Sequence, residues 1–314
     1  MNLDVKQELK NLGYEFKAEG EDIIVAKFSS ITEAERNDIT FCYYEENKAI
    51  EYISKSNAGI ILCKDSIEGK IHPKTGQQFY FLQNPRLAFI QIMRGIVDKN
   101  SIDREISTKA TIDEMAIIGK NCLIHQFATI GKNCVIGDNC VIGKRVSMEN
   151  CIIGNNCNIQ TGTVIGEDGF AYERLPAEKL EHFPHLGKVI IENDVDIYAN
   201  CSIARGSMTD TVIGEGTKID ALVHVAHNVK IGKSCELTAG TIIGGSTTIG
   251  NSTWTGLNST LKDNIHVGNN VIVGAGAMVI NNIQDMDVVA GVPAKSIKSK
   301  IRTNLTFLMA GQKE

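Results

Sequence analysis

The residues best equipped for chemistry meet in the stretch ALVHVAHNVKIG, residues 221–232. His227 stands there in an aliphatic run, two places after Val225, with Asp220 a short step upstream. A carboxylate hydrogen-bonded to one imidazole nitrogen fixes the tautomer and raises the basicity of the other. His227 and Asp220 thus have the composition of a general base with its orienting partner, and equally that of an ordinary surface pair. His224 and His227 are three apart, a spacing that suits two metal ligands. No convincing third ligand accompanies them, since His125 lies far along the chain, and no metal is expected. His182 and His185, in EHFPHLG, read as loop residues that either touch substrate or stand idle.

A repeat must position these residues. Steps of six from Ile213 pass through Ile219, Val225, Ile231, Leu237, Ile243, Ile249, Thr255, Leu261, Val267, Val273 and Val279. Earlier runs do the same, from Ile118 to Ile142 and from Ile191 to Ile203. Three sixes make one triangular coil, with an aliphatic residue pointing inward from each short strand. Glycine often follows that residue, at 214, 232, 244 and 250 for example, and is expected to supply the turn. Helical steps of three and four are absent. The pattern is that of a hexapeptide parallel β-helix, on which His227 should project outward. Cys122, Cys134, Cys140, Cys157, Cys201 and Cys235 each lie four places after an inward aliphatic, the slot for a small residue. They read as packing, and no CxxC suggests a metal or redox site.

Three regions break the hexad. Residues 1–100 alternate strand-like and helix-like segments (DIIVAKF, AIEYISKS, AGIILC, FYFLQ and PRLAFIQIMRGIVDK), which implies a small α/β domain. Residues 108–290 are the β-helix, interrupted by a polar excursion at 167–188. An interruption that long is usually functional or mobile. Residues 291–314 are expected to form a short helix capping the coil. The net charge of −5 and pI near 5.9 argue against nucleic acid as a partner. No run of 18 apolar residues implies membrane insertion, and the start carries no targeting signal, so a cytoplasmic protein is the default expectation.

The stretch KIDALVHVAHNVKIG, ending its motif in Ala-His-Asn, resembles the active-site coil of the UDP-3-O-acylglucosamine N-acyltransferases of lipid A synthesis. NDITF at 37–41, NPRLAF at 84–89, GEDGFAY at 166–172 and the segment 187–220 are similar to the same family, in the same order. The resemblance implies a left-handed β-helix and a homotrimer with active sites between subunits. It implies that His227 is the base for a sugar amine, with Asp220 orienting it and the Gly245 N–H steadying the oxyanion. Phe41, with Tyr43 and Tyr44, would hold the nucleotide. Asp168, Gly169, Phe170 and Asn228 would shape the sugar site. No cofactor is bound permanently; acyl-CoA or acyl carrier protein is the co-substrate.

Some positions depart from that family. Asn264 stands where a second histidine is expected, with His266 two places away, and Asn47 stands where a nucleotide-binding Tyr is expected. The C-terminal coils ending in AGVPAK look instead like coenzyme A-dependent nucleotide-sugar N-acetyltransferases, which assigns Asn264 and Lys295, with Gly245, to the donor. The combined expectation is an N-acyltransferase acting on a UDP- or dTDP-linked amino sugar for a surface glycan, acyl-CoA being the favoured donor. The alternative is the lipid A enzyme using acyl carrier protein. From other classes, a non-catalytic trimeric scaffold and a γ-type carbonic anhydrase also use this repeat.

Overall fold

The structure, a computed structural model, describes residues 3–99 and 104–298. It divides between residues 102 and 103 into two compact units. In the first, a sheet runs in the order β1 (Lys17–Gly20), β5 (Gln78–Leu82), β4 (Ile60–Lys64), β3 (Asp38–Cys42) and β2 (Lys27–Phe28). Only β1 is antiparallel. Alternate strand residues serve opposite faces. Ile60 and Leu62 join Leu9, Phe89 and Ile92 of the helices α1 (Val5–Asn11) and α3 (Pro85–Lys99), while Ile61 and Cys63 join Ala49 and Ile53 of α2 (Glu46–Lys55). Burial on both sides explains why AGIILC and FYFLQ read as unbroken apolar runs. Most of DIIVAKF is not strand: only Lys27–Phe28 pairs with β3.

The second unit is a parallel β-helix whose two- and three-residue strands form three sheets, here called its faces. One coil reads Thr211–Ile213 on the first face, Lys218–Ile219 on the second and His224–Val225 on the third. The hexad residues fill the interior: Ile213, Ile219, Val225, Ile243 and Val267 are all fully buried. Each such side chain contributes about 1.5–3 kcal/mol through burial. All nine cysteines are buried free thiols, and Cys201 and Cys235 donate S–H to carbonyls of the next coil, at Asp220 and Gly250.

The hexad glycines do a different job from the one expected. Gly214, Gly232, Gly250 and Gly256 do not have positive φ; the left-handed corner position belongs to residues such as Asn228, Asn258, Asn264 and Asn270, and Asn tolerates that conformation. The glycines are required by stacking instead. A Cβ on Gly214 would lie 2.5 Å from the carbonyl carbon of Gly232 one coil on, and one on Gly256 would lie 2.4 Å from Ala275 N.

The excursion at 167–188 is an antiparallel hairpin, Tyr172–Arg174 with Leu180–His182. At the far end, Lys295–Ser296 adds antiparallel to Val288–Ala290; the rest of the expected capping helix, residues 299–314, lies outside the described residues. Gly214→Ala should lower the urea unfolding midpoint by the equivalent of about 1–3 kcal/mol. Asn270→Gly, at a corner that favours positive φ, should shift it by no more than about 0.5 kcal/mol.

Candidate active site

Corners leading from the third face to the first stack above one another, and a cleft of about 440 Å³ opens along them. Asp168, Gly169, Phe170, His227, Gly245 and Asn264 all line it, as does His224. Register explains the convergence. One coil separates His227 from Gly245, and the next brings Asn264: Ser246 N donates to His227 O at 2.9 Å and Asn264 N to Gly245 O at 2.9 Å.

His227 is half-buried, and its Nδ1 lies 2.9 Å from Asn228 Oδ1. That amide cannot turn freely. Its Nδ2 donates to Thr209 O and Oγ1, both at 2.9 Å, and its Oδ1 also accepts from Ser207 N and Oγ. Because Oδ1 is thereby fixed as an acceptor, Nδ1 of His227 carries the proton and Nε2 keeps its lone pair. Asn228 is therefore the orienting partner within the chain.

Asp220 does not fill that role here. Its oxygens accept from Ala221 N at 2.7 Å and Ala239 N at 3.1 Å. The reason is geometric. Asp220 opens the corner between the second and third faces, whereas His227 sits at the following corner, so a full strand separates them.

Two glycines give the imidazole its place. A Cβ on Gly169 would meet His227 Cβ at 2.7 Å, and one on Gly245 would meet His227 Cε1 at 2.7 Å and Nε2 at 2.8 Å. The backbone of Gly245 is thus immediately beside the basic nitrogen, where an N–H donor can serve a developing oxyanion.

The excursion loop leans on the same histidine. Rings run from Phe170 to Tyr172, His182 and His185, and the His185 centroid lies 5.6 Å from that of His227. At the loop's base Arg205 Nε donates to Gly187 O at 2.8 Å, and its guanidinium lies 3.8 Å from the Asp168 carboxylate. Burial holds the His185 pKa below its ordinary value. The sequence left His185 as a loop residue that either touches substrate or stands idle, because a loop sequence does not reveal that its histidine is buried against the coil.

The remaining expected residues lie elsewhere. Lys295 is exposed on the antiparallel strand edging the second face and does not line the cleft. His266 bonds Thr248 Oγ1 at 2.7 Å. In the first unit Phe41 packs on Phe89 (centroids 4.9 Å apart) and approaches Tyr43 at 6.0 Å; Tyr43 in turn lies tilted against Tyr44 at 4.5 Å, whose ring carries Lys48 Nζ at 4.0 Å. This aromatic group at the end of β3 suits stacking against a flat base.

Comparison with known proteins agrees with the coil. The family model for the bacterial transferase hexapeptide (six repeats) matches residues 115–148 and 210–245. Two curated relatives are both named UDP-3-O-acylglucosamine N-acyltransferase. That of Caulobacter sp. (strain K31) is 37% identical over 145 residues, covering 46% of this chain and 42% of the relative. That of Methylorubrum populi is 36% identical over 149 residues, covering 48% and 42%. The matched region thus spans less than half the length of these relatives. Among solved structures, LpxA from Acinetobacter baumannii aligns with a TM-score of 0.56 at 21% identity, over 65% of this chain and 80% of its own, and shares the fold.

The tautomer is directly measurable. Nitrogen-15 NMR of the histidines should show His227 protonated at Nδ1 and bare at Nε2. Asn228→Ala should release it toward the Nε2–H form.

Proposed function

We propose that this chain is an N-acyltransferase that moves an acyl group from a thioester to the amine of a UDP-linked, 3-O-acylated glucosamine. The observation that carries this reading is His227, its Nδ1 tied to Asn228 and its Nε2 beside the Gly245 backbone, in a cleft walled by the excursion loop. The names of the two curated relatives support the acceptor, and favour the lipid A alternative over the surface-glycan reading drawn from the C-terminal coils.

The chemistry follows from these groups. The sugar amine attacks the thioester carbonyl while Nε2 of His227 removes its proton, and the Gly245 N–H stabilises the oxyanion. When the tetrahedral intermediate collapses, the C–S bond breaks, the thiolate takes the proton back from His227, and an amide and a free thiol remain. Asn228 holds the imidazolium by its Nδ1–H throughout. Asn264, where a second histidine was expected, presents a neutral amide to the cleft, suited to hydrogen-bonding the donor rather than to acid–base work.

Association into a trimer accompanies the reading. Phe127, Tyr198, Leu222 and Leu257 lie exposed along the corner between the second and third faces. Ala221, Ala239 and Gly240 beside them allow close approach. Such a row on the outside of a coil is suited to burial against a second copy.

Two experiments test the proposal. Purified chain with UDP-3-O-acylglucosamine and a 3-hydroxyacyl carrier protein or 3-hydroxyacyl-CoA should release thiol and form the N-acylated product. His227→Ala should lower the rate by about 10²–10⁴. Transfer only to amino sugars lacking the 3-O-acyl group would restore the surface-glycan reading, and no transfer from either donor would leave the scaffold. In sedimentation, Leu222→Asp with Leu257→Asp should convert trimers to monomers.

A further inference from the structure

The excursion loop carries a second constellation to which the proposed proton transfer assigns no part. Asp168, His182 and His185 each offer a ligand atom, and these atoms lie within 4.8 Å of one another. They come from both ends of one loop: Asp168 leaves the coil, His182 ends the returning hairpin strand and His185 precedes the resumption of the coil.

His185 gives the cluster its meaning. The residue is 4% exposed. Its Nδ1 lies 2.8 Å from Phe183 O, a carbonyl that only accepts, so Nδ1 holds the proton and Nε2 holds a lone pair. That Nε2 is buried with no hydrogen-bond partner among the described residues, a state disfavoured for a polar atom in a folded chain. A Cβ on Gly169 would stand 3.0 Å from it, so the bare glycine keeps the nitrogen uncovered by side chain.

We propose that Asp168, His182 and His185 form a divalent transition-metal site beside His227, with zinc the best-matched ion. Two imidazoles and a carboxylate are a zinc donor set, and three protein ligands leave one tetrahedral position for water or a substrate oxygen. The carbonyl bond at Nδ1 of His185 is the outer contact that fixes a liganding imidazole in the required tautomer. Zinc bonds of about 2.0–2.1 Å imply ligand atoms about 3.3 Å apart, so these atoms, all within 4.8 Å of one another, need to close by at most about 1.5 Å. The Asp168 carboxylate keeps an oxygen for the metal, since the Arg205 guanidinium stands at 3.8 Å, too far for a tight hydrogen bond. Metal at this place ties the two ends of the loop together over the cleft. These ligands are not the His224–His227 pair that a carbonic anhydrase reading uses, and the site does not depend on acyl transfer.

The test reads the metal itself. Tag-free full-length chain, stripped with a chelator, is titrated with Co(II), whose visible absorption reports a low-coordinate nitrogen–oxygen shell, and with Zn(II) against a chromophoric chelator. One ion per chain is expected. His185→Gln and His182→Asn should each weaken binding by at least about 100-fold, since losing a ligand exceeds the 10–100-fold cost of losing an outer partner. His72→Gln, at the separate His72–Glu19 pair, should leave it unchanged. Circular dichroism confirms that each variant is folded. Binding no tighter than about 1 mM, or binding that survives both loop variants, would overturn the proposal.

Discussion

The backbone ladder between successive coils is the constraint from which everything else follows. Parallel pairs such as Ser202 with His224, His224 with Ile242 and Ile242 with Thr260 lock each rung above the last. A one-residue slip would turn every inward aliphatic outward, so Val225 and Ile243, both fully buried, hold the register tightly. A locked register turns sequence separation into position. Residues about 18 apart stand one coil apart at the same corner, which is why His227, Gly245 and Asn264 share a cleft and Asp220 does not. The cleft needs no flexible element to assemble these groups: rigid rungs hold them where the chemistry needs them.

The cleft takes its shape from where the ladder is broken. A regular coil presents a narrow corner with little room for a substrate. Inserting the hairpin between Ile165 and Val189 builds a wall on one side of His227, and Arg205 and Gly187 fasten its base. The wall also buries His185 against the catalytic candidate. The same insertion therefore shapes one side of the cleft and brings Asp168, His182 and His185 together beside it.

Much of the fold was legible because one physical rule, a buried residue every sixth place, repeats along most of the chain. The inward cysteines followed from the same rule. The glycines were misjudged for an equally physical reason: composition shows that a side chain is missing, but only the stacked coils show whether φ or crowding requires it. In the first unit DIIVAKF suggested a full strand, yet only its last two residues find a partner in β3. For the site, the structure brings His227, Gly245 and the loop residues Asp168–Phe170, expected from spacing and resemblance, to the lining of one cleft. The bond between His227 and Asn228 was not legible, because the amide is fixed by Ser207 and Thr209, about 20 residues upstream. The nucleotide-binding role expected of Phe41, Tyr43 and Tyr44 rests on an aromatic group whose sequence cue departs from the family at Asn47.

The proposed acyl transfer requires an imidazole whose Nε2 is bare, reachable and needed. Carbethoxylation by diethyl pyrocarbonate, mapped by mass spectrometry as transfer activity is followed, tests this most directly. Modification of His227 should track the loss of acyl transfer, and UDP-3-O-acylglucosamine should protect both together. Full transfer by chains modified at His227, or lost transfer with His227 intact, would contradict it.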